Sequence, residues 1–226
     1  MAWTFGDEIE ALTSYDANGS DDAISGEDFY LHTNQWLTDG AKEIINILPP
    51  KLKIECATIT SLTSSTPMDL DASGEVFHAT RENADNGYHI GCREINPIYG
   101  GSADDSSSLH YVVATDPVYW VESDTGGDPK LFVKPTPTAN QPARIHHVAF
   151  PTISHSDSAI VNFPNEAEYL VVLYASIKAI EYVMLQEEDS EVYGPQYTVL
   201  KQDYDRGIQM LITRGIPQPT QRKEAR

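Results

Sequence analysis

The stretch "FPNEAEYLVVLYASIKAIEYVMLQEED", residues 163–189, decides how the chain is read. A bilayer span needs about 20 nearly uncharged residues. Here the longest uncharged run is Tyr169 to Ile177. Lys178 and Glu181 follow it, and each would cost ~3 kcal/mol near a bilayer centre. Asn165 and Glu168 stand at the spacing of a capping box, and Pro164 stops any earlier helical turn. Leu170, Leu173, Tyr174, Ile177, Ile180 and Met184 form one apolar stripe, flanked by Val171, Val172, Ala175, Ala179 and Val183. A stripe that wide predicts burial on two sides. The expectation is a core helix whose second face meets a neighbouring subunit.

Working outward, Gly194 and Pro195 mark a break, after which Tyr197, Leu200, Tyr204, Ile208 and Leu211 recur at helical spacing before Gly215 and Pro217. The two helices make an antiparallel hairpin. Upstream, Ser25 and Asp28 fit a second capping box, and Tyr30, Thr33, Leu37, Ala41, Ile44 and Leu48 share one helical face that Pro49 and Pro50 end. Between these helical regions lie short alternating runs separated by Gly, Pro, Asn and Asp: EVFHATRE (75–82), YHIGCREI (88–95), LHYVVAT (109–115), VYWVES (118–123), KLFVKP (130–135) and ARIHHVAF (143–150). "SDTGGDPK" reads as a hairpin connection. The expected fold is α+β: a small antiparallel helical bundle, with one N-terminal and two C-terminal helices, carrying an inserted antiparallel β-sandwich or barrel-like module. The bundle takes residues 26–52 and 163–214, and the β module takes 53–162. Residues 1–25 read as an acidic arm with one helical turn near Ile9 and Leu12, and residues 215–226 as a basic tail.

With 226 residues, 40% of them hydrophobic, the chain has enough apolar mass for a sizeable core. Its formal net charge of -19 argues against nucleic acid as a tightly held ligand, because phosphate binding depends on Lys and Arg. The sign reverses only at the end: Arg214, Arg222, Lys223 and Arg226 face Glu224 alone in "RGIPQPTQRKEAR". That composition fits an extended docking arm. The N-terminus begins acidic, with no basic segment leading into an apolar one, so synthesis in the cytoplasm is expected. Cys56 and Cys92 are then expected as reduced thiols.

The chemistry-bearing motifs are sparse. The sequence holds no phosphate-binding glycine loop, nucleophile elbow, His-Glu-x-x-His or Cys-x-x-Cys, so no enzyme activity and no cofactor is expected. Asp16, Asn18, Ser20, Asp22 and Glu27 occupy positions 1, 3, 5, 7 and 12 of a calcium loop, but Asp21 stands where the sharp turn requires Gly. His146, His147 and His155 do not repeat a zinc spacing, and on a strand the first two would point to opposite faces. Glu187, Glu188, Asp189 and Glu191 form an acidic patch at a helix C-terminus, where negative charge opposes the macrodipole. Such a patch is a solvated turn, or a surface that meets a basic partner or repels DNA.

Six segments occur in a telling order: "WLTDGAKEIINILP" (36–49), "TRENADNGYHIGCREI" (80–95), "SSLHYVVATDPVYWV" (107–121), "LFVKPTPT" (131–138), "HHVAFPTI" (146–153) and "FPNEAEYLVVLYASIKAIEYVML" (163–185). Together they resemble the head-to-tail adaptor, or neck, proteins of tailed bacteriophages, especially of marine and cyanobacterial phages. The resemblance covers residues 27–212. It implies a helical bundle with a β insert, assembled as a homo-oligomeric ring of twelve beneath the portal. That ring would sit in the virion neck, continue the DNA channel and offer a surface to downstream neck or tail proteins. It implies no catalytic residue, no membrane and only transient, non-specific contact with passing DNA. It places the basic tail in position to reach the portal. The competing reading is a monomeric calcium- or carbohydrate-binding β module in which Tyr111, Tyr119 and Trp120 form the binding face, with an enzyme of unknown type behind it.

Overall fold

The computed structural model describes residues 3–14, 17, 29–70, 73–83, 87–187 and 190–215. It divides into two compact units, residues 1–56 with 150–226, and residues 57–149. The architecture is α+β.

In the helical unit the elements are α1 (Phe5–Thr13), α2 (Phe29–Ile47), the short α3 (Pro50–Lys53), α4 (Asn165–Glu187) and α5 (Ser190–Gly215). The acidic N-terminal segment is therefore not simply an arm. Phe5 and Ile9 are buried and α1 packs on α4. The helix starts cleanly because Thr4 and Asp7 cap each other reciprocally: the Thr4 amide donates to Asp7 Oδ2 at 2.9 Å and the Asp7 amide to Thr4 Oγ1 at 3.2 Å. Two more first-turn amides, of Phe5 and Gly6, donate to the carbonyls of Asp157 and His155. That loop is itself held by α2, through Thr38 Oγ1 on the Ile153 amide and Asn34 Oδ1 on the His155 amide. Residues 150–162, expected with the β module, thus belong to the helical unit.

Helices α4 and α5 run antiparallel. Glu181 meets Tyr197, Tyr174 meets Tyr204, and Leu170 meets Gly207, so the numbers fall along one helix as they rise along the other. A Cβ on Gly207 would lie 2.3 Å from Leu170 Cδ2, which is why this crossing holds a glycine. Helix α5 does not break at Gly194 and Pro195. It begins at Ser190 and carries Pro195 inside it, giving up the one backbone bond that Pro195 could have donated. The capping box expected at α4 is also different: Glu168 Oε1 accepts the amide of Ile160 at 2.8 Å and so ties down the preceding loop. The expected capping pair at Ser25 and Asp28 lies outside the described residues.

The second unit holds two four-stranded sheets. One contains β1 (Ala57–Leu62), β3 (Ser73–Glu82), β4 (His89–Gly91) and β8 (Ala143–Ala149), in the order β1-β8-β3-β4. The other contains β2 (Met68–Asp69), β5 (Arg93–Glu94), β6 (Val118–Ser123) and β7 (Pro129–Lys134), in the order β2-β7-β6-β5. All pairs are antiparallel except β5 with β6. Ala79, Ala143 and Ile145 of the first sheet share a buried cluster with Met68, Tyr119, Leu131 and Val133 of the second. The module is thus a sandwich of two facing sheets.

The expected strand at 88–95 is split in two. At Cys92 the chain leaves one sheet for the other, its amide bonded to Ala79 before Arg93 bonds to Pro117. The expected strand at 109–115 does not form, because the place beside β6 is taken by β5. Instead residues 97–104 coil into a 3-10 helix capped by Asn96, and residues 105–117 fold back in turns. The β6–β7 hairpin turns where "SDTGGDPK" predicts, with Asp124 Oδ1 accepting the amides of Gly126 and Asp128 and with Gly127 at φ +91°. Those amide bonds hold the Asp124 carboxyl below its usual range.

Candidate functional site

Leu170, Leu173, Ile177 and Ile180 are buried and Tyr174 and Met184 partly so, within the chain's own fold. α2, α5 and α1 all pack on α4. The stripe is wide because three helices of the same chain cover it, and α1, read from sequence as part of an arm, is one of them. Of the two roles expected for these residues, core helix and subunit interface, the fold of the single chain gives the core.

Other apolar side chains do face outward. In the β unit Ile98, Leu109, Tyr111 and Val113 are exposed, with Ile98 at 79% and Leu109 at 102%. The chain folds back here: Tyr99 stacks on His110 with ring centroids 4.1 Å apart, and the Val112 amide bonds to the Ala103 carbonyl. The stack brings Ile98 and Leu109, each the chain neighbour of a stacked ring, to the same part of the loop. The loop is anchored from below, since Val112 and Ala103 pack with Val118 and Trp120. In the helical unit an open groove of about 670 Å³ lies along α4 and α5, lined by Tyr169, Leu170, Met210 and Leu211 together with Glu166 and Arg206. Neither surface stood out in sequence, because residues 109–115 read as a strand and Leu170 and Leu211 as members of helical stripes.

Tyr119 and Trp120 are only 7% and 4% exposed, so they cannot form a sugar-binding platform with Tyr111. Trp120 stacks on Phe132 at 5.3 Å and donates to Glu122, and Tyr119 donates to Glu94. The reason is local. Gly100 lies over the indole so closely that a Cβ there would sit 2.7 Å from the ring.

The histidines separate as strand geometry requires. His147 is buried, 2.9 Å from Thr60 Oγ1, whereas His146 lies on the other face against His78. His155 belongs to the helical unit, against Tyr30 and Asn34. No group of three potential metal ligands occurs among the described residues. Cys56 and Cys92 are free thiols, and burial pushes them up to about 11 and about 12. Among the described residues no helix is long and apolar enough to cross a membrane.

The remaining sequence candidates fall at or beyond the edge of what is described. Asp16, Asn18, Ser20, Asp22 and Glu27 lie outside it, as do Glu188, Asp189, Arg222, Lys223 and Arg226. Glu187, Glu191 and Arg214 are placed only as helical backbone, at the end of α4 and the two ends of α5. No protein-family model matches the chain, and no curated protein matches it.

Proposed function

We propose that the chain is a virion structural protein, an oligomeric ring adaptor that joins the portal to the tail and continues the DNA channel. The observation that carries this reading is the exposed apolar loop of Ile98, Leu109, Tyr111 and Val113 on a chain whose net charge is -19. Strongly exposed Ile98 and Leu109 beside the stacked Tyr99–His110 pair favour a protein partner, and such a high negative charge disfavours a nucleic-acid one. The ordered motifs quoted above, from "WLTDGAKEIINILP" to "FPNEAEYLVVLYASIKAIEYVML", support the specific class of partner, copies of the chain itself together with a portal. A ring lined by negative walls would repel phosphate and let DNA slide. The basic tail at residues 215–226 would supply the opposite charge for docking.

The test is the assembly state of the purified chain, alone and mixed with a portal, by light scattering and negative-stain microscopy. Rings that form or lock onto the portal are expected. Leu109→Asp should lower the assembly state without lowering the melting temperature, and deleting residues 215–226 should weaken portal binding while leaving the fold intact. A monomer that ignores the portal would overturn the reading.

A further inference from the structure

The outward face of the β1-β8-β3-β4 sheet holds a pair of histidines that local backbone geometry puts together. On β8 the side chains alternate: Ala143, Ile145 and His147 are buried, while Arg144 is exposed and His146 half-buried. On β3 the register shifts. Val76 stands opposite His147 and His78 opposite His146, so β3 advances two residues where β8 advances one. This is a β-bulge, with Phe77 the extra residue. In unbroken register Phe77 would face His146. The bulge re-aims the strand so that imidazole faces imidazole, with ring centroids 4.1 Å apart and planes within 18°.

We propose that His78 and His146 form a binding site for a divalent transition-metal ion of the Zn²⁺, Ni²⁺ or Cu²⁺ class. Directly opposed residues on antiparallel strands have Cβ atoms about 4.5–5.5 Å apart, and metal–imidazole bonds are about 2.0–2.1 Å long. Two near-parallel rings at that spacing need only tilt their nitrogens together to share one ion. Imidazole favours Zn²⁺, Ni²⁺ and Cu²⁺ over Mg²⁺ and Ca²⁺, which take oxygen ligands.

The surrounding face sets the limits of the site. His89 is engaged next door, its Nδ1 3.4 Å from Thr80 Oγ1 and its Nε2 3.8 Å from Glu82. Arg144 is a cation beside the pair and weakens binding. With no third ligand grouped among the described residues, the protein supplies two ligands and water completes the shell.

Untagged full-length protein should be titrated with ZnCl₂ and NiCl₂ by calorimetry at pH 7.5, with CaCl₂ as the contrast. Saturable Zn²⁺ and Ni²⁺ binding is expected and should be lost in both His78→Ala and His146→Ala. It should be retained in His155→Ala and should weaken as the pH falls below 6, where imidazole protonates. Circular dichroism of each metal-free variant checks folding. Should His146→Ala not fold, the exposed His78→Ala decides alone. Binding that survives His78→Ala, or no saturable binding by the wild type, would overturn the assignment. This test is independent of whether the chain assembles as a ring.

Discussion

Arg81 Nε donates to the carbonyl oxygen of Pro135 at 2.8 Å, fixing a strand of one sheet to the chain just beyond a strand of the other. The same guanidinium reaches Gln141 Oε1 at 2.8 Å and the carbonyls of Glu82 and Thr136, and the residue is only 4% exposed. A planar group with five fixed donors can serve four acceptors at once, whereas an ammonium cannot. Arg81→Met should therefore strand several part-buried carbonyls and lower the stability of the β unit by about 3 kcal/mol, since hydrogen bonds to charged groups contribute ~1.5–3 kcal/mol each. Arg81→Lys should recover less than half of that loss. Urea unfolding followed by Trp120 fluorescence reads both, and an unchanged midpoint in Arg81→Met would refute the clamp.

Leu173 is 1% exposed at the centre of α4, enclosed by helices of its own chain. Its truncation to Ala should cost ~2–5 kcal/mol, the range for buried Leu. It should leave the assembly state of the surviving folded protein as it was. An acidic replacement at Leu173 or Ile177 should abolish folding outright. Light scattering beside thermal unfolding separates the outcomes: a Leu173→Ala protein of normal stability but altered assembly state would return this residue to an interface.

The periodic elements were legible in sequence and the aperiodic ones were not. α2, α4 and the strands β3, β6, β7 and β8 lie where apolar spacing places them, because each repeats its period long enough to be read. β2 and β5 have two residues each, too few to show alternation. β1, "ATITSL", is not among the strands read from sequence; its place in the sheet comes from pairing with β8. Val112 and Val113 read as strand but belong to a loop, since only the fold reveals that β5 occupies the neighbouring position. The same limit applied to the candidate sites. A bulge at Phe77 leaves no mark in sequence, so His78 and His146 could not be paired by spacing, and Arg81 looked like any strand-borne cation.

His146 gives the β unit a pH dependence with a definite sign. Burial, then His78, Arg144 and His89, lower its pKa in the folded chain. The unfolded chain therefore binds the proton more readily, and stability rises with pH across that interval. The contribution is fully present above the ordinary histidine pKa of about 6.5 and is lost as the pH falls through that value toward the folded one. Metal-free His146→Gln should show a flatter stability profile between pH 7.5 and 5 than the wild type. A profile of identical slope would place the pH dependence on other groups.

Ser176 presents a different kind of defect. It is fully buried in α4, and its hydroxyl has no hydrogen-bond partner among the described residues. An unpaired buried hydroxyl costs ~1–3 kcal/mol, and Ala also has the higher helix propensity, by a few tenths of a kcal/mol. Removing one oxygen from a site between packed helices leaves a void far smaller than a deleted methyl pair, so the cavity term does not cancel that gain. Ser176→Ala should raise stability by about 1 kcal/mol, a shift of ~2–4 °C in Tm for a chain of this size. Thermal unfolding monitored by helical circular dichroism measures it, and a lower Tm would show that the hydroxyl is engaged in the folded protein.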